Sequence, residues 1–201
     1  MTTSFNKFAG WAAILAGVSG FLYSVSFIVL QNNLLSALFL MLGGIFSTAA
    51  LTALYQRLLN TESGFALLGL LLTVSAALGS AIHGGYDLSN ALHPPASLNA
   101  DLPNPIDPRG LLTFGIAGLG LSLLSWLLNQ EMQFPKSFAY LGILSAVLMI
   151  ILYLGRLIVL QATSLVIVIP ALLEGFIVNP IWYIWLGFNL RRDQSITKSL
   201  R

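Results

Sequence analysis

The sequence predicts an all-α protein, a polytopic membrane helical bundle with six transmembrane helices. The 201 residues are 57% hydrophobic and only 8% charged, whereas soluble domains carry about 25% charged residues. Six predominantly apolar segments each reach the roughly 20 residues that cross a bilayer as a helix. Most Lys and Arg residues lie at alternate ends of these segments, which is typical of a chain that crosses a membrane repeatedly.

The six predicted spans are 8–30, 34–56, 64–90, 110–129, 137–160 and 164–189. The first is too long for a cleaved signal peptide, so we expect a retained helix. Connections are short except 91–109, which is proline-rich and therefore predicted to be extended. The predicted organisation is one transmembrane domain over 1–190, with this long external loop, followed by a basic cytoplasmic tail over 191–201.

Basic residues predict the orientation of the spans. One side carries a single Arg109, with Arg156 inside a span near it, and the other side carries seven cations. Because cytoplasmic loops are enriched in Lys and Arg, we expect both termini in the cytoplasm. Trp182, Tyr183 and Trp185 near the inner end of the last span are predicted to form an aromatic belt. The seven cations are Lys7, Arg57, Lys136, Arg191, Arg192, Lys198 and Arg201.

Spans one, three and five share short patterns that indicate an internal repeat. Each begins with Phe-Ala, and the third and fifth continue as FAxLGxL. This favours three tandem pseudo-repeated hairpins inserted the same way up, which would make Ser26, His83 and Arg156 equivalent. The alternative is chance similarity among leucine-rich helices.

Polar residues of the third span follow one helical face, which we expect to point into the bundle because lipid cannot satisfy them. His83 and Asp87 are four residues apart and can hydrogen-bond. The pair could be half a metal site, a proton relay, an acid/base pair or a structural contact at a helix end. The face comprises Thr73, Ser80, His83, Asp87 and Asn90.

Arg156 and Glu174 are charges within spans five and six, where an ionised side chain costs about 2.5–3.5 kcal/mol on insertion scales. Their side chains are expected to lean towards each other. We therefore predict an ion pair, direct or through one intervening group, with either a structural or a functional role. Pro170 and Pro180 free backbone carbonyls, which favours a cavity beside Glu174.

A metal site is the alternative use of these groups. If His93 folds back over the third span, then His83, Asp87, His93 and Glu174 form a plausible zinc or iron ligand set. No HxxH or HExxH spacing supports it. No cofactor is predicted from these residues. The alternative is a metal ion, or a single pigment or haem, bound at His83. The absence of cysteine excludes disulfides and Cys-ligated centres, and no basic patch indicates nucleic acid.

HGGYDL in span three, RLIVL in span five and NPIWYIW in span six resemble a prokaryotic family of six-transmembrane-helix proteins catalogued as a domain of unknown function. The resemblance covers most of the chain through motifs of low specificity. It implies six helices in a prokaryotic inner membrane, and it implies no activity, cofactor or catalytic residue.

These observations favour a non-enzymatic membrane protein with an outward-facing polar cavity. His83, Asp87, Asn90, Arg156 and Glu174 would line the cavity and bind a small solute, an ion or a lipid headgroup. Transport is one form of this function. The alternatives are a membrane-embedded metal-dependent enzyme and a structural or assembly subunit. Expected partners are the bilayer, a small-molecule or lipid ligand, and other copies or subunits of a membrane complex.

Overall fold

The structure is a computed structural model that describes residues 4–94, 108–159, 161 and 163–192. These residues are helical with short connections and contain no strand. Two π-helical turns interrupt the series: Val25–Val29 extends the first helix, and Glu174–Val178 joins the last two. The helices are α1 (Ser4–Ser24), α2 (Asn33–Leu58), α3 (Ser63–Leu92), α4 (Pro108–Gln130), α5 (Lys136–Ile158), α6 (Leu165–Leu173) and α7 (Asn179–Arg191).

Six segments of the described chain are long and apolar enough to cross a membrane. The sixth span, Leu165–Arg191, combines α6, the π-helical turn and α7. The six predicted spans are therefore confirmed. Ser4 and Arg191 lie on one side of the bundle, which we call the terminal face, and the opposite side is the loop face. Residues 95–107 of the predicted loop and 193–201 of the predicted tail lie outside the described residues.

The spans pack in a closed ring. Each helix contacts its neighbours in sequence, and α7 packs back against α1. This order is what three parallel hairpins would produce, although the internal repeat stays a prediction. The ring encloses a hydrophobic core that is densest towards the terminal face, where Leu54, Leu124, Phe138 and Leu186 are fully buried.

Small residues let the helices approach closely. A Cβ added at Gly84 of α3 would lie 2.8 Å from the Ala37 carbonyl oxygen of α2 and nearer still to the Met41 nitrogen. A Cβ at Gly17 of α1 would lie 2.8 Å from the Pro180 carbonyl oxygen of α7. Since backbone meets backbone at both seams, only glycine fits, as is common where membrane helices cross.

Trp182 corrects the prediction of an aromatic belt. Its side chain is only 1% exposed and stacks on Phe138 with ring centroids 5.3 Å apart. This tryptophan is therefore part of the core between α5 and α7. The lipid-facing surface is instead covered by aliphatic and other aromatic side chains, among them Phe8, Ile82 and Leu157.

The sixth span is not a regular α-helix. The π-helical turn Glu174–Val178 ends just before Asn179 and Pro180. Proline has no N–H to donate, so the carbonyl that a regular helix would pair with it needs another arrangement. A π-helical turn shifts this hydrogen-bond pattern by one residue and is frequent at functional sites. Here it begins at the acidic residue of the span.

Candidate functional site

Glu174 is an acid enclosed by the helical bundle. Its side chain is 4% exposed, and it lies nine residues into the sixth span, about 14 Å deep at a rise of 1.5 Å per residue. Carboxylate Oε1 accepts a hydrogen bond from the Ser145 hydroxyl of α5 at 2.6 Å. Oε2 is buried without a hydrogen-bond partner. Ser145 therefore makes the one hydrogen bond of normal geometry to this carboxylate among the described residues.

Other polar groups surround this carboxylate. Asn179, at the start of α7, also interacts with it. The Tyr183 hydroxyl is within electrostatic range of Glu174 and faces Ser47 of α2. On the α1 side, Gly20 leaves room for the Asn179 amide, since a Cβ there would lie 3.0 Å from Asn179 Oδ1. Polar groups of the fifth and sixth spans thus surround the acid, and Ser47 of the second span is connected to them through Tyr183.

A second polar cluster lies at the loop face. Nε2 of His83 is 3.3 Å from Oδ2 of Asp87, as their spacing predicts. The Tyr23 hydroxyl of α1 is within electrostatic range of Asp87 and of Arg156 on α5. Alternate spans of the ring therefore contribute to this cluster, which we call the rim cluster: Tyr23, His83, Asp87 and Arg156.

The predicted direct ion pair between Arg156 and Glu174 is not formed. Within the described residues neither side chain contacts the other, and Nε of Arg156 and Oε2 of Glu174 are both buried without a hydrogen-bond partner. The reason is depth. Helix α5 ends at Ile158, so Arg156 is in its last turn, about 3 Å from the end, whereas Glu174 is about 14 Å into its span. A link through an intervening group stays a prediction.

The proposed metal ligands are not brought together either. Among the described residues, no group of three His, Cys, Asp or Glu side chains could hold a metal ion. His93 follows the last helical residue of α3, while Glu174 is deep in another span. The set His83, Asp87, His93 and Glu174 is therefore not assembled as a metal centre among the described residues, and a metal site stays a prediction.

Each residue of the predicted polar face of α3 is buried or partly buried. Thr73 is buried and donates to the Gly69 carbonyl at 2.7 Å, and Ser80 and Asn90 are partly buried. His83 also borders a groove of about 300 Å³ between α3 and α4, lined by Gly79, Ile82, His83, Tyr86 and Thr113. The single predicted cavity uniting this face with Glu174 stays a prediction, since part of its lining falls in 95–107.

A line of buried polar atoms leads from Glu174 towards the terminal face. Ser125 Oγ of α4 and Trp182 Nε1 of α7 are buried without hydrogen-bond partners, and both lie beside Gly142, one turn before Ser145 on α5. One turn beyond Ser125, Asn129 Oδ1 is buried without a partner as well. The Asn129 carbonyl accepts from Lys136 Nζ at the start of α5.

Comparisons with protein-family models, curated proteins and solved structures gave no match to this chain. The resemblance of HGGYDL, RLIVL and NPIWYIW to a six-helix family is thus not supported by a family model.

Sequence reasoning found the buried acid but missed most of its surroundings. Ser145 stands alone in an apolar stretch, and Ser47 has only Thr48 beside it. A hydroxyl in such a helix is most often a local contact with its own backbone. The available signal was Asn179-Pro180, five residues after Glu174, because a proline inside a span marks a backbone irregularity.

Proposed function

We propose that this protein is a membrane carrier in which Glu174 binds and releases a proton, or a small cation in its place, while a small solute crosses the bundle. The observation that carries the proposal is the buried carboxylate, whose Oε1 accepts from Ser145 while the neighbouring Asn179 makes no hydrogen bond of normal geometry to Oε2. A carboxylate at this depth must be protonated, paired with a cation or opened to water. Exchange among these states is what a coupled carrier requires.

The surroundings of Glu174 support this proposal. The π-helical turn begins at the acid, and such turns are local departures from the helical ladder that proteins use at functional sites. Ser125, Trp182 and Asn129 provide buried polar atoms in the direction of the terminal face, and the rim cluster provides charged groups at the loop face. Together they supply hydrogen-bonding groups on both sides of the carboxylate.

The test uses proteoliposomes with a trapped pH-sensitive dye and an imposed pH gradient. Pools of amines, amino acids, sugars and inorganic cations are added in turn. We expect at least one pool to dissipate the gradient with the wild type, and Glu174→Gln to abolish that effect while preserving the hydrogen bond to Ser145. Glu131→Gln is the matched control, because Glu131 accepts from Thr61 near the terminal face, away from Glu174.

Infrared difference spectra provide a readout that needs no substrate. Between acidic and alkaline buffer, a carboxyl band should change in the wild type and in Glu131→Gln, and its buried component should be missing in Glu174→Gln. If all three proteins give the same buried carboxyl signal, or if no pool moves protons, Glu174 is not a coupling group.

A structural role is the second candidate, and the Ser145–Glu174 hydrogen bond favours it. The bond joins α5 to the sixth span at a point where both side chains are buried. In a scaffold or assembly subunit, Glu174→Gln would retain the wild-type fold and change no flux. The same pair of variants therefore separates the two functions.

A further inference from the structure

A groove on the terminal face lies between the first helix and the end of the sixth span. It has a volume of about 540 Å³ and is lined by Lys7, Trp11, Phe188, Arg191 and Arg192. The helices meet closely below it, since a Cβ at Gly10 would lie 2.9 Å from the Gly187 carbonyl oxygen. The groove is thus fixed by a tight backbone contact between α1 and α7.

The lining is cationic. Three of its five side chains are Lys or Arg and none is acidic. Among the described residues, no carboxylate forms an ion pair with Lys7, Arg191 or Arg192. The Arg191 guanidinium carbon lies 3.9 Å from the centroid of the Trp11 ring, so the arginine is held at one wall. This concentration of uncompensated charge fits an anion.

The rest of the lining is aromatic and faces outward. Trp11 is 54% exposed and Phe188 is 51% exposed. Both lie near the end of a spanning helix, where aromatic rings sit at the level of lipid headgroups. Arginine binds phosphate through paired N–H donors, and basic pockets between membrane helices bind anionic headgroups. An inorganic anion would use the cations alone and leave the aromatic walls bare.

We propose that this groove binds the phosphate of an anionic phospholipid, with Lys7, Arg191 and Arg192 contacting the headgroup and Trp11 and Phe188 packing against the glycerol and upper acyl chains. The site is separate from Glu174 and stands whether or not the protein is a carrier.

The test measures binding to the whole protein in nanodiscs. Native mass spectrometry counts retained lipid as phosphatidylglycerol replaces phosphatidylcholine, with Arg192→Gln and Lys7→Gln compared against Lys136→Gln. The control removes the same charge from the same face but outside the groove. We expect each groove variant to lower apparent affinity for phosphatidylglycerol about five- to tenfold, and the control to match the wild type.

Three results would overturn the proposal: equal losses in Lys136→Gln and Arg192→Gln, equal retention of phosphatidylcholine, or displacement of phosphatidylglycerol by millimolar inorganic phosphate. The last would identify a site for free anions. Lys7 and Arg192 are both exposed, so their variants should fold, and unchanged melting temperatures in phosphatidylcholine nanodiscs check this. Trp11→Ala adds a further arm that changes no charge: it removes lipid packing and the ring that holds Arg191, and it should also weaken retention.

Discussion

Two adjacent glycines in HGGYDL allow the packing of the bundle to be tested by a single-atom change. In Gly84→Ala the new Cβ would lie 2.8 Å from the Ala37 carbonyl oxygen and closer to the Met41 nitrogen. Both are backbone atoms, so α2 and α3 must separate by several tenths of an ångström. In Gly85→Ala the nearest atom is Met41 Sδ at 3.7 Å, an ordinary contact.

The effects of the two variants on the free energy of unfolding should therefore differ in sign or in size. Overpacking costs about 1–3 kcal/mol, and replacing a helical glycine by alanine returns up to about 1 kcal/mol. We expect Gly84→Ala to lower the free energy of unfolding by about 1–2 kcal/mol. Gly85→Ala should leave it unchanged or raise it by up to about 1 kcal/mol.

Reversible unfolding in mixed micelles, with increasing mole fraction of denaturing detergent, measures both values against the wild type. Because each 1.4 kcal/mol is tenfold in an equilibrium constant, the gap between the two variants is well within range. If Gly84→Ala is as stable as Gly85→Ala, the close approach of α2 and α3 at this seam is wrong.

Three further predictions use the same unfolding assay. Ser145→Ala should cost about 1–3 kcal/mol because it leaves Glu174 Oε1 unpaired, whereas Ser125→Ala should cost less than about 1 kcal/mol because its hydroxyl has no partner to lose; equal costs would argue against the Ser145 bond. Trp182→Phe should cost much less than Trp182→Ala, for which about 3–5 kcal/mol is typical of a buried aromatic. A large loss in the phenylalanine variant would mean that Nε1 makes a bond. Losses in Arg156→Leu and Glu174→Leu should add to within about 0.5 kcal/mol in the double variant if no intervening group links the two side chains, and a double variant more stable than Arg156→Leu would show that the two charges are coupled.

The number and limits of the spans follow from the sequence because lipid imposes a length and an apolar composition on every crossing. Glycine within a membrane helix is typical of close packing between helices, and the structure places Gly84 against the backbone of α2. The His83–Asp87 contact also followed from spacing alone, because both residues lie on one helix.

Contacts between spans were harder to predict. The Arg156–Glu174 pair required the depth of each residue, and an error of a few residues in the end of α5 changes that depth by several ångströms. Trp182 looked like an interfacial residue because it lies near the end of an apolar segment, but rotation about the helix axis turns it onto Phe138. Hydropathy carries no information about which span lies opposite, so partners such as Ser145 were not predictable.

The contact between α7 and α1 can form only after the spans between them have been synthesised. Synthesis proceeds from the first helix, so the stretch containing Gly10 and Gly17 enters the bilayer long before α7 is made. Until then the close-packing surface around these two glycines would face lipid or neighbouring proteins. A five-span intermediate would carry this open flank, and only the arrival of the Glu174-bearing segment would seal it. The same segment would then complete the ring of helices and place Glu174 inside the bundle in the same step.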